Sequence, residues 1–502
     1  MLSAAFSWYL LLPVLLPVVA GLCIAFVPNL KDFGERRKVT LIAMGVTLLL
    51  LLPVLFSGDL EVTLFRFSDR LPVLLHADPT GKFFATLMVF VWGIAGIYSF
   101  EYMEHEEHLE RYYSFYVITL GVLVGLCFAG SIITYYMFYE MMTLLTVPLV
   151  MHTMEKDAVA AGIKYLIYSV LGASLVLLGV FLISPLVTTF SFTHGGVLSE
   201  SAEGMQGRVL AVSMLMILGF GTKAGMFPLH GWLPTAHPVA PAPASAVLSG
   251  IITKAGVLGV FRVIYDFIGV SHLRGTWVQV TFMSLTLFTV FMGSLLAYKE
   301  EIFKKRLAYS SVSQVSYVLF GLSTMHPLGV TGALLHVCAH SLIKDTLFMS
   351  AGAVIHKTGK TRVSELDGIG KQMPVVMGCF TIVSIGLIGI PPCLGFVSKW
   401  YLAQGALSMA GVPAFFSYLA PAVLLISALL TAGYLMTVSI HGFFPRKAGG
   451  HGEEAAEPVL ENKEPTLQML VPMLILTVLS VLLGMFPGAL LQLFSLITSL
   501  VI

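Results

Sequence analysis

The sequence predicts an all-α integral membrane protein of about fourteen transmembrane helices, arranged as two inverted repeats that each contain one broken helix. Three observations predict it. Of 502 residues, 57% are hydrophobic and only 11% charged, far from the balance of a soluble domain. The apolar residues gather into stretches of about 20, the length that crosses a hydrocarbon core as a helix. Two of those stretches are interrupted by glycine and proline beside a lysine, at Lys223 and Lys399, and paired interrupted helices in two halves of a chain point to an inverted-repeat transporter.

The spans follow in order. The first, 8–27, has no cationic run before it, and its charges come afterwards at Lys31, Arg36, Arg37 and Lys38. A cleaved signal has the reverse order, so this is a retained helix. Further spans are expected near 38–56, 80–100, 112–131, 132–151, 158–185, 209–229, 240–266, 278–298, 303–323, 328–355, 375–402, 413–441 and 467–487. The polar stretches between them, 57–79, 186–208 and the Gly/Ala/Glu linker 442–466, are too short for a soluble domain. After the last span, 488–502 is apolar and suited to lying along the interface.

Basic residues sort by loop. Those after odd-numbered spans hold most of the Lys and Arg, Lys304 among them, while those after even-numbered spans hold Arg66, Arg70, Lys82, Arg208 and Arg274. By the positive-inside rule the odd loops face the cytoplasm and both termini face outward, in a cell inner (plasma) membrane. A net charge of +1 offers no field for nucleic acid. Cys23, Cys127, Cys338, Cys379 and Cys393 all lie in apolar stretches without C-x-x-C spacing. They read as small buried hydrophobes, not as ligands of zinc or an iron–sulfur cluster.

Six basic residues remain inside spans: Lys164, Lys223, Lys254, Arg262, Lys344 and Lys399. A lysine near the bilayer centre costs a few kcal/mol, so it should face protein or water. A break at membrane depth is tolerated only where it lines a cavity or packs on protein. The run Gly219-Phe-Gly-Thr-Lys-Ala-Gly-Met-Phe-Pro-Leu-His-Gly-Trp-Leu-Pro joins both features, and a proline-rich bend leads from it to Lys254. The second break, Gly389-Ile-Pro-Pro-Cys-Leu-Gly-Phe-Val-Ser-Lys, repeats the logic.

These runs closely resemble the signature of the antiporter-like membrane subunits shared by respiratory complex I, Mrp cation/proton antiporters and membrane-bound (group 4) hydrogenases. The resemblance covers nearly the whole chain. It implies a three-helix region at 1–111, two inverted five-helix repeats at 112–266 and 278–441, and a linker with the last helix at 442–502. It also implies further antiporter-like subunits as neighbours in the bilayer.

Glu140 lies mid-span in the fifth predicted helix. It reads either as a neutral acid bonded to a carbonyl or as a proton-loadable acid paired with Lys223, and the resemblance implies a key glutamate at this point. Lys223 suits a relay because lysine, unlike arginine, gives up its proton when buried; a static buried salt bridge is the alternative. Lys254 has no obvious counter-ion in the sequence, and the resemblance makes it a proton carrier. His336, His340 and Lys344 recur every four residues and so share one stripe of a helix. That stripe serves proton transfer, helix association or a metal, but Asp345, the one candidate third ligand, should point elsewhere. The resemblance places these residues on a central hydrophilic axis. Lys399 marks the exit side, and some relatives have glutamate there.

Lys164 can snorkel to the interface or join the path. His230 and His237 flank the first break and either gate water or cap the bend. Arg262 has Asp266 one turn on, which a local ion pair explains. No haem, flavin, quinone or nucleotide signature is found: Val354 occupies the first glycine position a phosphate loop needs before Gly359-Lys-Thr. The chain is therefore expected to hold no cofactor. Three classes remain: a proton-translocating subunit of a redox-driven complex, with H+ or Na+ as the ion; a D-type subunit of an Mrp antiporter; and a non-transporting scaffold, which the charged axis argues against.

Overall fold

The structure is a computed structural model that describes residues 7–27, 32–445 and 462–502. Lys31, Arg446, Lys447 and most of the expected linker lie outside the described residues. Every predicted span is occupied by helix. In chain order these are α1 Trp8–Phe26, α2 Phe33–Phe56, α3 Pro79–Tyr102, α4 Leu109–Cys127, α5 Ile132–Val150 and α6 Lys156–Ile183. The first break separates α7 Gln206–Ala224 from the short α8 Leu233–Val239, which leads to α9 Ala242–Ile268. There follow α10 Trp277–Lys299, α11 Phe303–Ser323 and α12 Pro327–Thr358. The second break separates α13 Pro374–Ile388 from α14 Leu394–Ser408, and α15 Phe415–Phe443, α16 Leu467–Met485 and α17 Gly488–Val501 close the chain.

Among the described residues, 10 helices are long and apolar enough to cross a membrane. α11 and α12 are not among them because their buried faces carry serine, glutamine, histidine and lysine. Both breaks have the same local cause. α7 ends on Gly225 at φ 78° and α13 on Gly389 at φ 97°, left-handed conformations that close a helix and that glycine adopts without strain. Prolines then prevent the helix from resuming at once.

The membrane-length window of α9 is 100% buried, so the rest of the bundle wraps it. It is not a plain helix as the sequence suggests, being π-helical over Leu248–Ile252 and Arg262–Ile268. Its glycines let it approach α7 backbone to backbone. An ideal Cβ on Gly256 would lie 2.6 Å from both Ala224 N and Phe220 O. Gly172 of α6 and Gly219 of α7 pack the same way, each ideal Cβ falling 2.6 Å from the other's carbonyl oxygen.

Two polar stretches hold more order than the sequence suggests. Within 57–79, β1 Glu61–Ser68 pairs antiparallel with β2 Leu71–His76. The apolar and aromatic run 62–67, a turn at Asp69–Arg70 and a second apolar run were the available signal. From the turn, Arg70 donates to the carbonyls of Thr188 and Ser184, both at 3.3 Å, and to that of Val187. The segment 187–205 is thereby strapped over the end of α9, where Thr193 N and Val197 N bond Asp266 O and Phe267 O, each at 2.9 Å. α17 docks its Phe494, Ile497 and Val501 inward, with the Phe494 ring edge-on to Phe83 at 4.7 Å.

Candidate ion-transfer site

The end of α7 carries Lys223 into a fully buried pocket between α5 and α6. Its Nζ donates to Thr143 Oγ1 at 2.9 Å, Tyr165 OH at 2.8 Å and Ser169 Oγ at 3.0 Å. It also sits over the Tyr165 ring at 4.4 Å and the Tyr139 ring at 5.6 Å, so an ammonium here meets oxygens and π-faces. The expected direct pair with Glu140 is not formed. Glu140 is half-buried beside Tyr136, close enough to Lys223 to interact electrostatically but without an ion pair among the described residues. It shares its flank of α5 with Leu144, which is 60% exposed, whereas Thr143 is the residue that turns inward to Lys223.

Lys254 lies at the bundle's centre. Its Nζ bonds His340 Nδ1 at 2.5 Å and donates to Ser249 O at 2.8 Å, a carbonyl in the first π-helical turn of α9. With an ammonium as donor, His340 Nδ1 is the acceptor and its proton sits on Nε2, which has no partner among the described residues. The His340 and His336 rings are 6.3 Å apart. His336 joins Gln314 Oε1 at 3.1 Å and Ser398 Oγ at 2.8 Å, and Ser398 immediately precedes Lys399 on α14. The Tyr317 ring stacks on His336 at 5.4 Å and receives Lys399 Nζ at 4.8 Å. Lys399 itself donates to Leu387 O at 2.6 Å and Ile388 O at 3.0 Å, carbonyls at the interrupted end of α13.

The expected stripe on α12 therefore divides. The two histidines face Lys254 and α14, while Lys344 turns to α11, donating to Ser310 Oγ at 2.6 Å and Leu307 O at 3.1 Å. Ser310 passes the contact to Tyr434 OH at 2.7 Å. Lys223 and Lys254 are linked by backbone packing of α7 on α9, with no side-chain hydrogen bond between them among the described residues.

The outlying residues also find places. Lys164 donates to Thr235 Oγ1 at 2.9 Å, tying α6 to α8. His230 is half-buried and stacks on Phe227 at 5.9 Å. His237 is fully buried against Phe348 at 4.6 Å, with neither ring nitrogen partnered among the described residues. Lys304, expected in a loop, is instead buried near His237 and donates to Pro238 O at 3.2 Å and to Ala240 O. A cavity of about 190 Å³ reaches Lys304 past Glu106 and Tyr102. Arg262 forms its expected bond to Asp266 at 2.8 Å, but its main partner is Asp78, engaged by both terminal nitrogens at 2.6 and 2.7 Å. All three residues are buried, so the local pair is part of an internal bridge between α9 and the start of α3. The sequence offered one signal for Asp78, a lone carboxylate capping the start of an apolar helix. Among the described residues no three His, Cys, Asp or Glu side chains gather as they would around a metal ion.

Two broken helices meeting a buried row of lysines and histidines inside a membrane bundle define an antiporter-like membrane protein. Residues 129–425 match the family described as NADH:quinone oxidoreductase/Mrp antiporter, transmembrane, and the chain belongs to it. It is 34% identical to the N subunit of the NADH-quinone oxidoreductase of Desulforudis audaxviator, over 82% of each chain. It is 31% identical to hydrogenase-4 component B of Escherichia coli over 84% of this chain and 63% of that protein. It is 27% identical to the D subunit of the Na(+)/H(+) antiporter of Bacillus subtilis over 95% of this chain and 94% of that one. Among solved structures, a chain of the Mrp complex from Dietzia shares the fold with a TM-score of 0.84 at 22% identity, covering 99% of this chain and 97% of that one.

Proposed function

We propose that this chain is the proton-translocating membrane subunit of a redox-driven complex of the complex I or membrane-bound hydrogenase type. The proposal includes about fourteen spans, two inverted five-helix repeats at 112–266 and 278–441, and both termini on the outer side of the plasma membrane. It also includes other membrane subunits as partners, and no cofactor held by this chain. Glu140, Lys223, Lys254, His336, His340, Lys344 and Lys399 carry the proton, with Lys164, His230 and His237 on its approaches. The observation that carries the reading is the Lys254–His340 contact at 2.5 Å, an amine and an imidazole sharing a proton position at the centre of the bundle.

The chemistry follows from the groups themselves. An imidazole that accepts at Nδ1 and releases from Nε2 passes a proton through its ring. A lysine can be left neutral where arginine cannot. Two ammonium groups in one buried row repel, so loading one site expels the proton from the next. The test is proton flux into liposomes holding the purified complex, driven by a potassium diffusion potential. Lys223→Ala should abolish flux while leaving assembly intact, and wild-type flux in that variant refutes the relay.

A second reading, the D-type subunit of an Mrp cation/proton antiporter, is favoured by the near end-to-end match to the Bacillus antiporter chain, against 82% coverage of the Desulforudis oxidoreductase chain. Identifying the proteins that travel with the chain in mild detergent separates the two. A nickel–iron or flavin subunit supports the first, and only small membrane subunits support the second.

A further inference from the structure

Asp345 follows Lys344 on α12 and is completely buried, yet neither carboxylate oxygen has a hydrogen-bond partner among the described residues. A buried carboxylate without donors is among the most unfavourable groups a fold can hold. The space it occupies is made for it. An ideal Cβ on Gly250 would fall 1.5 Å from Asp345 Oδ1, so any other residue at 250 would displace the carboxylate. Gly250 lies in the π-helical turn Leu248–Ile252, one turn before Lys254. Ser341 holds the two helices together here, donating to Gly250 O at 2.7 Å.

Lys254 from α9 and Tyr116 from α4 are close enough to Asp345 to interact electrostatically, and Tyr116 already donates its hydroxyl hydrogen to Trp92 O at 2.7 Å. Lys254 is therefore the cation Asp345 faces, with His340 and Lys344 on its own helix. The central row otherwise consists of groups that are neutral or positive, and a proton placed on any of them creates an uncompensated buried charge.

We propose that Asp345 is the counter-charge of the central row, the carboxylate that holds the proton when Lys254 does not. This rests on the proton-translocation reading above. With Lys254 protonated and Asp345 ionised, the pair is neutral overall. Transfer of one proton from Lys254 Nζ to a carboxylate oxygen over one bridging water breaks, in sum, an N–H bond of the ammonium and forms an O–H bond on the carboxyl. Both groups are then neutral, and the sum is unchanged. The freed amine can then take up the next proton without two positive charges ever meeting.

The test uses the whole complex in liposomes, with flux driven by a potassium diffusion potential and read against pH. Asp345→Asn keeps the shape but not the acid, and should lower flux about a hundredfold. Asp345→Glu keeps the acid and should retain flux with a displaced pH profile. Infrared difference spectra on driving the wild type should show a protonated carboxyl band that is absent from the Asn variant and moved in the Glu variant. If Asp345→Asn does not assemble, an unmoved band in Asp345→Glu overturns the proposal. Wild-type flux in Asp345→Asn, beside a dead Lys223→Ala, overturns the role of Asp345 and leaves the relay standing. Wild-type flux in both removes the relay itself.

Discussion

Lys223 gives all three of its N–H groups to neutral oxygens, and Arg262 gives both of its ends to carboxylates. The contrast separates a group that can change charge from one that cannot. Lys223→Arg should fail to restore flux, because the guanidinium keeps its proton throughout; flux comparable to wild type would show that charge alone suffices. Arg262→Ala leaves Asp78 and Asp266 buried without a cation and should lower stability by about 3–5 kcal/mol, seen as a fall in Tm. Outside the membrane segments, the hydrogen bond between His194 Nδ1 and Asp266 at 3.0 Å holds the imidazole above its ordinary pKa. A raised folded value means the bond's contribution is complete below the unfolded histidine range and is lost as pH rises through the folded one. Hydrogen exchange at Thr193 and Val197 should therefore accelerate on that rise, and His194→Gln should flatten the dependence. Single residues were legible where burial made a charge conspicuous. Their partners were not: Asp78 lies 184 positions from Arg262, and no periodicity links them.

At the scale of elements, the close contacts are glycine contacts. α6 and α7 meet at Gly172 and Gly219, and α9 presses Gly256 onto the last turn of α7. Small residues allow such approaches inside a membrane bundle. Gly219→Val should force α6 from α7 and, by shifting Ser169 and Tyr165 from Lys223, reduce flux severely. It should also lower stability by roughly 1–3 kcal/mol. Retained flux with lowered Tm would detach the packing from the site. The helices were readable because each is a long apolar run, and the two breaks because glycine and proline punctuate them. The β1–β2 hairpin and the strap at 187–205 escaped, since short strands among polar residues give a weak signal and their order comes from each other. The π-helical turns of α9 escaped as well: the first holds Gly250, which shares its space with Asp345 and Ser341 from a helix distant in sequence.

At the scale of the whole molecule, the buried row runs inside while lateral faces remain apolar and uncovered. On α6, Ile167 is 60% exposed and Phe181 66%; on α15, Leu425 is 67% exposed and Leu429 74%. In a membrane complex such faces meet lipid or neighbouring subunits. Purification in mild detergent should therefore recover the chain with other membrane proteins, and a chain that elutes alone and still moves protons would contradict its place in a larger complex.

The sequence by itself determined the environment, the succession of helices, the two interruptions and the family, because each is written in local composition or a contiguous run. Tertiary structure decided which charges meet. It kept Glu140 off Lys223, bound Lys254 to His340, turned Lys344 toward α11 and set Asp345 into the notch at Gly250. Those choices depend on the rotation and spacing of helices packed side by side, and a one-dimensional pattern carries no record of either.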